Sequence, residues 1–164
     1  MVQSADELSY TGIRQYAERI AQVHNVVNED GSTDVLRLVG ELGGRVTYNE
    51  DDREGLIVTG PGNFEIRLSP FTSSWRDKFT MAHELGHYFL HYRLPGLDAE
   101  ERFARGARNH RETQANVFAA SLLMPRDTFV EAWTELGGSE RRLADRFGVS
   151  PAAARVQAEV LRLQ

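Results

Sequence analysis

The 164-residue sequence contains no cysteine, which excludes disulfides, thiolate nucleophiles and cysteine-ligated metal. Any metal centre in this chain has to be built from histidine, aspartate and glutamate. Long apolar runs are missing as well, and none approaches the length of a membrane span. The start of the chain, Met1-Val2-Gln3-Ser4-Ala5-Asp6-Glu7, lacks the basic and apolar regions of a secretory signal. A soluble, cytoplasmic protein with no membrane partner is the expectation. Positive charge is also in short supply: 19 Lys and Arg against 24 Asp and Glu leave a net charge of −5. That balance disfavours a general attraction to nucleic acid. With 41% hydrophobic residues, the chain can still bury a core of its own.

Periodicity divides the chain into helical ends around a short β-rich stretch. Asp6 to Val23 carries Leu8, Ile13, Tyr16, Ile20 and Val23 at helical spacing, and Thr33 to Leu42 reads as a second helix with a threonine cap, stopped by Gly43-Gly44. His24 falls in their connection. The period then shortens. Arg45–Tyr48, Gly55–Thr59 and Phe64–Leu68 are separated by turn-forming residues and predict a three-stranded antiparallel meander. The last of these alternates cleanly, which makes it a candidate sheet edge for pairing with an extended peptide. Tyr92 to His110 has weak periodicity and reads as a loop. Arg111 to Met124 is helical until Pro125 ends it. The expected fold class is therefore α+β and mostly helical, with residues 1–135 as the main domain and 136–164 as a helical tail.

Three of the five histidines lie between positions 83 and 91. His83-Glu84-Leu85-Gly86-His87 is a His-Glu-x-x-His pattern in a helix that Ser74 can cap and that runs to His91. At roughly 100° per residue the two imidazoles lie about 40° apart and can share one cation. Glu84, about 100° from His83, is better placed for an attacking water than for the metal. Met81, Leu85, Tyr88 and Phe89 fall on the far side as an apolar face, while the histidines look into a cleft.

A catalytic zinc needs a third protein ligand. Glu112 is the best downstream acid, because its helix presents small residues that can pack against Gly86. Asn116, one turn later, projects the same way and can orient a ligating histidine. Zn²⁺ suits two histidines and a glutamate best, and Mn²⁺ and Fe²⁺ also accept such ligands.

Taken together, Phe79-Thr80-Met81-Ala82-His83-Glu84-Leu85-Gly86-His87-Tyr88 and Glu112 to Pro125 closely resemble the ImmA/IrrE family of bacterial and phage zinc-dependent peptidases. The resemblance is strong from about Gly55 to Pro125. It implies a gluzincin-like, zincin-type fold, with His83, His87 and Glu112 as metal ligands and Glu84 as the catalytic acid. It also implies a protein substrate, typically a helix-turn-helix repressor that controls phage, mobile-element or stress-response genes.

Tyr48, His110 and Arg111 are candidate donors to the transition-state oxyanion. His91 lies near the angular position of Glu84 two turns on and can line the cleft. The tail, Glu140 to Gln157, reads as a helix-turn-helix with Arg141, Arg142, Arg146 and Arg155 within reach of phosphates. Its would-be reading helix begins Pro-Ala-Ala-Ala, with few donors for base edges, so helix packing or repressor docking is favoured over DNA binding. Two other classes stay open: a DNA- or repressor-binding regulator whose metal is structural, and a toxin–antitoxin component that acts by binding alone. Oligomeric state is not legible in the sequence.

Overall fold

The computed structural model describes residues 4–51, 53–104 and 109–164. A short 3₁₀ turn, Ala5–Glu7, precedes α1 (Tyr10–Val23), which starts later than its apolar pattern because Ser9 caps it, accepting from Gly12 N at 3.0 Å. Ile13, Ala17, Ile20 and Ala21 form its buried face. α2 is Val35–Glu41, capped by Asp34 rather than Thr33. Thr33 is fully buried instead, and its hydroxyl donates to Leu122 O at 2.6 Å.

The sheet differs from the expected meander. It has four strands, β1 (Gly44–Tyr48), β2 (Gly55–Gly60), β3 (Asn63–Leu68) and β4 (Glu101–Ala104), in the order β1-β3-β2-β4. β2 and β3 form the predicted antiparallel hairpin. β1, however, runs parallel to β3, pairing Gly44 with Phe64 through Tyr48 with Leu68. Alternation predicts which face of a strand is buried but not which neighbour it takes. β3 is consequently an inner strand and offers no edge. The edge is β4, inside the stretch read as a loop, paired antiparallel to β2 with Leu56 opposite Phe103. Four mostly exposed residues carry too little pattern to be legible as a strand.

Leu56, Val58, Phe64, Ile66 and Leu68 form the buried sheet face within the common core. α3 (Ser74–His87) packs against this sheet and against α2. Ser73 rather than Ser74 caps it, accepting from Arg76 N at 3.3 Å. Tyr88–Arg93 continues the rod as a π-helical turn, with Leu94 N bonded to Phe89 O. The C-terminal half of α3 and the turn after it are buried on all sides: every residue from Ala82 to Tyr92 is buried. Its tightest partner is α4 (His110–Leu123), capped by the Asn109 side chain. A Cβ at Gly86 would stand 3.0 Å from Ala115 Cα, so the two helices approach where both residues are small.

α5 (Arg126–Glu135) follows Pro125, and α6 (Glu140–Phe147) and α7 (Pro151–Val160) end the chain. Gly148, at φ 68°, closes α6 in the left-handed conformation that glycine tolerates, and Ser150 caps α7. The tail packs onto the rest of the chain. Leu143, Phe147, Val149, Ala154 and Ala158 belong to the common core. Gln157 Nε2 donates to Met124 O at 2.9 Å, and Lys78 Nζ to Phe147 O at 3.0 Å. Its inner face is therefore occupied by the rest of the chain. Among the described residues no helix is long and apolar enough to cross a membrane.

Candidate metal centre

α3 supplies His83, Glu84 and His87, all buried, with potential ligand atoms within 4.8 Å of one another. The two imidazoles stand edge to face, their centroids 4.8 Å apart, one helical turn along the same side. α4 brings Glu112 between them: Oε2 lies 2.8 Å from His83 Nε2, and Oε1 3.1 Å from His87 Nε2. Glu84 stands further off, its nearest oxygen 3.9 Å from His83 Nε2. Of the two carboxylates, Glu112 thus shares the Nε2 side of both rings, and Glu84 flanks it. Two imidazole nitrogens and a carboxylate converging from separate helices are a donor set that zinc takes, so these residues fit a divalent cation.

The rings are held from behind. His83 Nδ1 is 2.7 Å from Asn116 Oδ1; an N–H donated to that amide oxygen holds the ring with Nε2 turned toward Glu112. His87 Nδ1 meets His91 Nδ1 at 2.9 Å, and His91 Nε2 meets Gln114 Oε1 at 2.8 Å. His91 is therefore not a cleft residue beside Glu84. It is buried and packed 5.0 Å from the His87 ring. Burial holds its pKa down to about 4, with the Gln114 hydrogen bond acting the other way, so its imidazole is neutral at pH 7.

The oxyanion candidates fare differently. Tyr48 is well exposed on β1, the edge opposite β4. Three strand spacings, about 14 Å, separate those edges, and Tyr48 is not brought to the centre. His110 opens α4 on the outer side, 3.2 Å from Gln114 Nε2 and 3.4 Å from Asp6 Oδ1. Arg111 lies with its guanidinium 5.3 Å over the Phe103 ring. Phe103 itself, which sequence reasoning missed, stacks on His87 with centroids 5.3 Å apart. Gln114 and Asp6 were missed too. The spacing of four that links His83 to His87 also links His87 to His91, and it was the available signal for that contact.

Beyond Asn116 a groove of about 480 Å³ runs between α4 and α7. Phe79, Val117, Ala120, Met124 and Val156 line it, with Arg14 also contributing.

Fold and donor set together define a metallopeptidase-like domain, mostly helical α+β with a four-stranded mixed sheet. The chain belongs to the IrrE N-terminal-like domain family, Peptidase M78, whose family model matches residues 44–159. Among solved structures, a Mycobacterium tuberculosis transcriptional regulator is similar, with a TM-score of 0.60 at 19% sequence identity. The similarity covers 87% of this chain and 45% of that one, so the chain spans less than half of the regulator's length. At that identity the likeness is one of fold. No curated protein matches the chain.

Proposed function

We propose that this protein is a zinc-dependent endopeptidase whose substrate is a helix-turn-helix transcriptional repressor, cleaved to relieve repression. The carrying observation is Glu112, set between the Nε2 atoms of His83 and His87 at 3.1 Å or less while Glu84 stands aside. On this reading His83, His87 and Glu112 hold the cation. Zinc, when bound, supplies a Lewis acid that polarises the scissile carbonyl and acidifies water. Glu84 accepts a proton from the attacking water at its carboxylate and delivers it to the leaving amine nitrogen. Asn116 keeps the His83 ring in place. Phe103, stacked on His87, closes the β4 side, and the strand's outer edge offers main-chain groups to an extended peptide. A protein substrate also suits the apolar groove beside Asn116. Mn²⁺ and Fe²⁺ remain alternative occupants of this ligand set.

The test is to incubate the zinc-loaded protein with the product of any helix-turn-helix repressor reading frame that neighbours its gene and score fragments by mass spectrometry. Cleavage by wild type and none by Glu84→Gln supports the proposal. An intact repressor that nevertheless binds would favour the binding-only regulator. Direct DNA binding is not part of this reading, because α7 turns its inner face into the core.

A further inference from the structure

His83 and His87 face the same carboxylate, but their outer nitrogens are held differently. Behind His83 stands one amide, Asn116. Behind His87 stands a series of side chains that ends at the N-terminal 3₁₀ turn.

Proton positions along that series follow from its far end. Asp6 Oδ1, a carboxylate oxygen, only accepts, and Gln114 Nε2 lies 3.1 Å from it. The second proton of the same amide faces His110 Nε2 at 3.2 Å. With its nitrogen spent there, Gln114 turns its oxygen to His91 Nε2 at 2.8 Å, and an amide oxygen has no proton to give. His91 Nε2 must therefore carry the hydrogen. Its other nitrogen, Nδ1, meets His87 Nδ1 at 2.9 Å. His87 Nε2 is thereby turned to the side where Glu112 Oε1 lies 3.1 Å away.

We propose that His91 and Gln114 are positioning residues for the metal centre: the hydrogen-bond chain from Asp6 through Gln114 and His91 holds the His87 ring at Nδ1 and so keeps Nε2 turned toward Glu112. The inference rests on the metal-centre reading above and adds to it a link between the N-terminal turn and one ligand. The π-helical turn after His87 belongs to the same device, since it carries His91 within 2.9 Å of the His87 ring.

Zinc affinity, read by chelator competition on variants shown to be folded by circular dichroism, tests it. Affinity should fall about 10- to 100-fold in Gln114→Leu and His91→Phe. His91→Gln, whose side-chain amide can still bond to His87 Nδ1, should recover most of that loss. Asp6→Ala alters a largely exposed side chain at the far end of the series and should give a smaller loss of affinity. Unchanged zinc affinity in folded Gln114→Leu and His91→Phe, or no recovery in His91→Gln, would overturn the inference while leaving the peptidase reading intact. A wild-type protein that takes up no divalent cation would instead overturn the proposed function and this inference together.

Discussion

The interface between α3 and α4 and the packing of α6 and α7 are both largely buried, yet they are assembled on opposite terms. Between α3 and α4, polar groups are buried: His83, Glu84, His87, His91 and Gln114 are all at most 5% exposed. In the tail the charged groups stay outside, with Arg141, Arg142 and Arg155 exposed, and the buried side is Leu143, Phe147, Ala154 and Ala158. Burying polar groups is costly unless each finds a partner of correct donor and acceptor sense. The helix pair that accepts that cost is the one that carries the candidate metal centre. The tail, held mainly by apolar contact and a few tethers such as Gln157 to Met124, contributes stability.

This contrast can be broken or sharpened by substitution. The largest effect is expected in Glu84→Gln, which should lower repressor cleavage by about 10²- to 10⁴-fold while zinc content, measured by atomic emission, stays at wild-type level. Loss of the metal together with activity would move Glu84 into the ligand set. Next, Phe147→Ala should cost about 3–5 kcal/mol in denaturant unfolding, because its ring is fully buried 5.3 Å from Phe129. Residual folded protein should retain zinc. Gly86→Val should follow at about 1–3 kcal/mol, since its side chain would press on the Ala115 backbone, and here zinc affinity should fall with stability.

Asp30 lies in the loop facing Arg146 beside the tail, its carboxyl held below the ordinary value of 3.8 chiefly by the Ser32 hydroxyl. A lowered folded-state pKa stabilises above the unfolded value and loses that contribution as pH falls through the folded one. Asp30→Asn should therefore flatten the stability profile below about pH 4, by less than about 1 kcal/mol for so exposed a group. Smallest of all, Arg141→Ala with Arg142→Ala should change stability by less than about 0.5 kcal/mol and leave cleavage untouched. A marked loss of cleavage with stability intact would assign those arginines to substrate docking.

Much of the centre was legible from residue spacing, because a helix converts an interval of four into adjacency on one face. That geometry relates His83 to His87, and it makes Asn116 the companion of Glu112 on α4. The pairing of Gly86 with the small residues of α4 was readable for a related reason: two helices approach closely only where neither carries bulk. Tyr48 and Phe103 show the limit. Both are aromatic residues on sheet edges, and nothing in their local sequence says which edge meets α3.

What the sequence by itself determined is the buried face of regularly patterned elements such as β3 and the donor types on α3 and α4, since periodicity and side-chain chemistry are local properties. Only the tertiary structure decided that β1 runs parallel to β3, that β4 exists at the edge beside His87, and that Asp6, more than a hundred residues from Gln114, meets it. Strand partners and hydrogen-bond chains form between segments distant in sequence. They follow from which surfaces are left to be covered once the core has closed, and no interval along the chain encodes them.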